Sequence, residues 1–417
     1  MERSIPVHYQ DVDGLDIPAG ILRSRSLRGK EVFSFEASKD WIRRSLFRFL
    51  DPDLGQFSGP QYLRDDKPNF GLFLDSSPDR WGRVLLRRRE ALLARQEGRK
   101  VRTLFETDYL LGVYDGNRMG ALRFRSDPDG PFLDDNGALA APPFARLREL
   151  EQASLHLEED DVESSNQYGR WLELLLAPGS SLGGARPKAN VQDETGQLWI
   201  AKFPSARDEV DQGAWEAVAA TLARRCDIVV PDFQVKRFGA KGGTFLSRRF
   251  DRDHRRRIHF ASAMTLLGRT DGADSTSGAS YLELVEFLVR HGGAVDADLH
   301  QLWLRIVFSI AISNTDDHLR NHGFLLDSQG WTLSPAYDLN PNPTGTGLTL
   351  NISEDDNSLD PELALQVAGH FRISAADAKA RVARVERAVS GWREVAKELG
   401  IRRSELDAMS GAFRGHS

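Results

Sequence analysis

The stretch Asn314–Asn321, NTDDHLRN, sets two acids, a histidine, an arginine and two asparagines directly after the apolar run LWLRIVFSIAIS. Asp316 and Asn321 have the D-x-x-x-x-N spacing in which an aspartate takes the proton of an attacking hydroxyl and an asparagine amide oxygen binds Mg2+. Asp338, in SPAYDLNP, lies 22 residues beyond Asp316 and offers a second hard oxygen donor. Mg2+ needs few protein ligands because it keeps several waters. The chemistry open to such a set is phosphoryl transfer to an alcohol. His318 reads as a brace of the loop, since Asp316 already fills the role of base. The histidines and the cysteine show no cluster at metal-ligand spacing.

Phosphoryl transfer also needs a place for the phosphates. The stretch GSSLGGARPKANV (179–191) brings Gly183, Gly184 and Ala185 just ahead of a β-prone run. Adjacent glycines let the backbone approach a ligand closely, and the N–H groups of such a loop can cradle an anion. The loop matches neither the Walker A pattern nor G-x-G-x-x-G. One hairpin later, WIAKFP places Lys202 in an apolar strand, where a buried ammonium needs an anion. Glu216, in AWEAVAATLA, shares its helix with Ala217, Ala220 and Leu222 and could face that strand.

The elements that must position these residues follow from periodicity. Short β-prone runs before residue 39 and again near 122–125 flank helical patterns at 39–49, 80–97 and 104–112. SDPDGPFLDDNGALAAPP (126–143) reads as a linker. Helices are expected over 144–158, 165–176 and 208–225, with β runs at 231–238 and 244–250. Apolar positions at Leu299, Leu302, Trp303, Ile306, Val307 and Ile310 mark a helix buried on most sides, and a hairpin is expected over 322–334. The order is glycine loop, Lys202, Glu216, hinge strand, Asp316 with Asn321, hairpin, Asp338. It predicts an α+β, two-lobed protein-kinase-like fold: a small β-rich lobe at 144–250 and a large helical lobe at 251–417. Residues 1–125 form an added N-terminal α/β subdomain.

Bulk composition is compatible with this. The chain has 417 residues, 40% hydrophobic and 28% charged, which suits a globular protein of two or three domains. A net charge of −6 argues against wholesale nucleic-acid binding. No apolar run reaches membrane-span length. The lone cysteine, Cys226, cannot form an internal disulfide, so a reducing, cytoplasmic setting is expected. Between Arg80 and Arg102 nine basic residues face only Glu90 and Glu97, with Leu85, Leu86, Leu92 and Leu93 at helical spacing. This reads as an amphipathic helix whose basic face is either solvated or a contact surface for an acidic partner or DNA.

Taken together, SLGGARPKA, WIAKFP, RRFDR, NTDDHLRNHGF and SPAYDLNP resemble the HipA family of bacterial serine/threonine kinases, the toxin half of a toxin–antitoxin pair. The stretches SPDRWGR (77–83) and YLLGVYDGNRMGALRFR resemble that family's N-terminal subdomain, so the likeness spans nearly the whole chain. The resemblance implies that Asp316 is the catalytic base, that Asn321 and Asp338 hold Mg2+, and that Lys202 contacts the phosphates of ATP. It further implies that Arg248 and Phe250 reach adenine through backbone groups, with Asp251 close to the nucleotide. Ser181, or its neighbour Ser180, falls where family members autophosphorylate. Also implied are a protein substrate such as an aminoacyl-tRNA synthetase, growth arrest and persistence as the outcome, and a HipB-like helix-turn-helix antitoxin that supplies most DNA contact. Arg186 and Pro187 depart from the family's loop, and the hinge run DRDHRRR is unusually basic. Two alternatives stand beside this reading. One is a small-molecule phosphotransferase using the same Asp and Asn set; the other is a non-catalytic binding partner of an antitoxin–DNA complex.

Overall fold

The computed structural model describes all residues except 1, 28, 44–48, 65–66, 134–140, 177–183, 185, 255 and 415–417. It divides into two compact units, residues 1–207 with 251–261, and residues 208–250 with 262–417.

The first unit is built on an antiparallel five-stranded sheet. Its order is Pro60–Tyr62, Lys30–Ala37, Asp16–Leu27, Glu2–Gln10, Leu122–Phe124. Alternation sets the inner face: Phe33, Phe35 and Ala37 are buried at every second position of one strand. Gly20 has no room for a side chain, because a Cβ there would meet Glu36 O at 2.3 Å. The expected helix over 80–97 is present as Arg80–Gln96, and Asp79 caps it by accepting from Gly82 N at 2.8 Å. Helices Leu147–His156 and Tyr168–Leu176 follow. The hairpin Lys188–Gln192 with Leu198–Lys202 is turned by Asp193, which accepts from Thr195 N (2.9 Å), Gln197 N (3.0 Å) and Trp199 Nε1 (2.8 Å).

The basic face of Arg80–Gln96 is largely neutralised from within. Arg83 makes a bidentate pair with Glu106 (2.6 and 2.7 Å), Arg88 donates to Leu157 O, and Arg99 pairs with Glu90. The guanidinium of Arg99 holds Glu90 well below the usual carboxylate range, at about 2. Arg87 and Arg89 stay at least partly open to solvent.

The second unit is mainly helical. Helix Gln212–Arg225 precedes the hairpin Phe233–Lys236 with Thr244–Arg248. The helix read from Leu299 onward runs from Val295 to Ala311 and buries Leu302, Trp303, Ile306, Val307, Phe308 and Ile310. It leads to the hairpin Gly323–Leu326 with Trp331–Leu333. Helices Pro361–Val367, Ala375–Ser390 and Trp392–Glu398 close the unit, and Trp392 stacks on Phe413 at 4.3 Å.

Contacts group the chain differently from the composition-based boundaries. The β runs at 231–250 belong with the helical unit, and residues 251–261 return to the N-terminal one. Their basic side chains explain the return. Arg252 donates to Asp251 Oδ2 (2.5 Å) and Arg118 O (2.5 Å), and Arg257 pairs with Asp115 at 2.8 Å. The hinge run is therefore not simply solvated: Arg252 and Arg257 are buried. Part of the expected linker is tied down too, with Leu133 N donating to Phe124 O and Pro143 bridging Gln192. Among the described residues, no helix is long and apolar enough to cross a membrane.

Candidate active site

The candidate residues are divided between the two units. In the second, the buried helix Val295–Ala311 ends at Ile312, and Ser313 turns the chain with φ +49°. Asn314, fully buried, donates its backbone N–H to Ser309 O at 2.8 Å. Its side-chain oxygen accepts from Asn340 N at 3.1 Å, which ties the Asp316 loop to the Asp338 segment. Two further bonds reinforce the tie: Asn342 Nδ2 donates to Thr315 Oγ1 at 2.8 Å, and Tyr337 OH to Arg320 O at 2.7 Å. Asp316 is exposed, as a group that must meet a substrate should be.

Asn321 is 3% exposed and donates Nδ2 to Asp316 O at 2.9 Å. That bond fixes the amide so that Oδ1 is left as a buried acceptor with no hydrogen-bond partner. An orphaned hard oxygen is costly unless something electropositive meets it. Asp338 stands at φ +59°, a left-handed conformation uncommon for a residue with a Cβ. Asn340 Nδ2 reaches Asp338 O (3.2 Å) and Oδ1 (3.3 Å). The described residues contain no cluster of three or more His, Cys, Asp or Glu that could hold a metal. The donor set available is instead one carboxylate and one amide oxygen, which fits a largely hydrated Mg2+ and not zinc.

Sequence reasoning missed the group that holds this loop from behind. Asp317 is buried; Tyr281 OH donates to its Oδ2 at 2.6 Å and His322 Nε2 lies 3.1 Å from its Oδ1. Burial pushes the Asp317 carboxyl up, but the neighbouring His322 and its hydrogen bonds bring it below the ordinary value. Arg305, buried in the Val295–Ala311 helix, adds a positive charge nearby; burial lowers it to about 10. The bracing role assigned to His318 is thus carried chiefly by His322, one residue beyond the motif. The doubled acid, Asp316–Asp317, was the only local signal for it.

Glu216 is 6% exposed in helix Gln212–Arg225, the inward placement expected of it. Arg248 ends a strand, its backbone N–H donating to Asp232 O and its guanidinium 3.4 Å from Asp232. Phe250 lies with its ring 5.5 Å from Tyr337.

In the first unit, Gly184 has φ +60°. Ser180, Ser181, Gly183 and Ala185 lie outside the described residues. Lys202 is half-buried at the end of its strand, directly opposite Lys188. Asp251 is fully buried, its Oδ2 accepting from Gly120 N at 2.9 Å and from Arg252. Those bonds make it an internal brace of the turn at Gly120.

The chain matches the HipA-like C-terminal domain family over residues 180–392, just over half its length. It is 26% identical over 211 residues to Y4mE of Sinorhizobium fredii, a candidate kinase by name, covering 48% of this chain and 43% of that one. A second candidate kinase, from Haemophilus influenzae, is 30% identical over 101 residues, covering 22% of this chain and 29% of the relative. The matched segment thus spans less than half of either relative. Among solved structures, the fold matches HipA in a Shewanella oneidensis toxin–antitoxin complex of HipA, HipB and operator DNA. There the TM-score is 0.66 at 16% identity, covering 98% of this chain and 94% of that one. The fold is accordingly α+β and kinase-like, and the chain belongs to the HipA-like family.

Proposed function

We propose that this chain is an ATP- and Mg2+-dependent serine/threonine-protein kinase that acts as the toxin of a toxin–antitoxin pair. The observation that carries the reading is the orphaned Asn321 Oδ1, presented beside Asp316 on a loop tied to Asp338. When bound, Mg2+ would neutralise charge on the transferred phosphoryl group; Asn321 and Asp338 would hold it. Asp316 would accept the proton of the substrate hydroxyl and orient its oxygen. Lys202 would meet the phosphates, and the backbone at Arg248 and Phe250 the adenine. Catalysis is then mostly positioning and charge stabilisation.

Family membership and the HipA–HipB–DNA relative support a HipB-like helix-turn-helix partner that carries the main DNA contact. The substrate would be a protein of the translation machinery, such as an aminoacyl-tRNA synthetase. Modification of Ser181 or Ser180 would silence the enzyme, because a phosphoserine adds about −1.5 to −2 charge where ATP phosphates must sit.

Incubation of the purified chain and a cell lysate with labelled ATP and Mg2+, followed by peptide mapping, tests the reading. The expected result is phosphate on a protein serine or threonine, lost in Asp316→Asn while ATP binding persists. Normal transfer by Asp316→Asn would remove Asp316 from the role of base. ATP binding without transfer to any protein, the chain included, would favour a binding module.

A further inference from the structure

The phosphate end of the candidate site carries one cation more than the proposed chemistry uses. Lys188 and Lys202 are paired directly across the hairpin, so their side chains leave the same face. Like charges so placed repel unless a counter-charge intervenes. Lys188 has one: its Nζ lies 3.1 Å from Asp79 Oδ2, with the two side chains 3% and 2% exposed. The pair also sits beneath the glycine turn, since a side chain at Gly184 would begin 3.8 Å from Lys188 Nζ. Asp79 meanwhile caps helix Arg80–Gln96 through its other oxygen, Oδ1. One carboxylate therefore joins the N-terminal helix to the foot of the phosphate loop.

We infer that Asp79 is a positioning residue for the nucleotide site: it holds Lys188 in a neutral pair, so that Lys188 adds no charge of its own to the ground on which the phosphates sit. This rests on the reading of the glycine turn and Lys202 as the phosphate site. Lys188 is too buried to reach a ligand itself; it acts by its charge, which Asp79 cancels. Any rearrangement of the N-terminal helix that draws Asp79 away uncovers that positive charge and tightens the hold on a polyphosphate. The N-terminal subdomain thereby sets nucleotide affinity, and with it how quickly product leaves.

The geometry supplies a conservative variant. Asparagine is as good an N-cap as aspartate, so Asp79→Asn keeps the bond from Gly82 N and removes only the charge. The measurement is calorimetric titration of the full chain with Mg·ATP and, separately, with adenosine. In Asp79→Asn the ratio of ATP to adenosine affinity is expected to rise about tenfold, the effect of one added charge ~10 Å away at an effective dielectric of about 20. In Lys188→Met, which removes the cation and keeps the carboxylate, the ratio should fall. The double variant should return close to the parent value. A merely structural role would weaken both ligands alike in either variant. An unchanged or reduced ratio in Asp79→Asn overturns the inference while leaving the kinase reading intact. Failure of the parent chain to bind ATP at all overturns the nucleotide reading itself.

Discussion

Asp338 combines a strained backbone with a charged side chain at one position. Its φ of +59° costs a Cβ-bearing residue about 1–2 kcal/mol relative to the right-handed region. The bond its carboxylate accepts from Asn340 Nδ2 is long, at 3.3 Å, and offsets little of that cost. Such strain persists where the surroundings over-determine the backbone, and it gathers at functional sites. The expected signature is a separation of stability from binding. Asp338→Gly should fold within about 1 kcal/mol of the parent, because relief of strain offsets the added freedom of the unfolded chain. Asp338→Asn tolerates the same φ and keeps the shape. Both should lose the Mg2+-dependent part of nucleotide affinity in a titration with and without the metal. Retention of that dependence in Asp338→Asn would move the cation site elsewhere.

At the scale of elements, the loop's precision comes from what lies behind it. The helix Tyr281–His291 donates the Tyr281 hydroxyl to Asp317, and the helix Val295–Ala311 brings Arg305 toward the same carboxylate. Tyr281→Phe removes one donor from a buried anion and is expected to cost about 1–3 kcal/mol of stability. Because Asp317 orients the loop without facing the substrate, kcat should fall while KM for ATP stays close to the parent value. A change confined to KM would place Tyr281 in binding. Much of this level was legible in the sequence. The apolar spacing from Leu299 to Ile310 marked the buried helix, and Asp316, Asn321 and Asp338 stood out by spacing. The brace did not, because Tyr281 lies 36 residues upstream of Asp317 and nothing local marks a tyrosine as the donor to a particular acid. The internal bonds of Asp251 were hidden for a related reason: Gly120, its partner, is 131 residues distant in the chain. The inner role of Arg252 and Arg257 was hidden likewise, since a run of arginines reads as solvated until the carbonyls that receive it are known.

For the molecule as a whole, the first unit carries two buried groups whose titrations oppose each other. Burial pushes the Asp51 carboxyl up to about 6, against the pull of hydrogen bonds from Leu72 N and Asp53 N. Burial also pushes His259 down to about 3. Between roughly pH 4 and 6, folding makes Asp51 take up a proton, so its contribution to stability declines as pH rises through that window. His259 does the reverse between about 3 and 6.5: folding expels its proton, so its contribution grows as pH rises. Each group acts with a limiting slope of about 1.4 kcal/mol per pH unit. The two largely cancel where the windows overlap, and single substitutions should uncover each slope in turn. His259→Phe, which retains an aromatic ring against Tyr9, should make the chain more stable at pH 5 than at pH 7 relative to the parent. Asp51→Asn should do the opposite, losing stability relative to the parent as pH falls from 6.5 toward 4. Asparagine gives up one of the two backbone bonds, which shifts its baseline, so the slope and not the offset is diagnostic. Urea-denaturation midpoints at half-unit pH intervals measure both. Parallel pH profiles for the parent and His259→Phe would mean that His259 is charged in the folded protein, and the burial argument would fail with it.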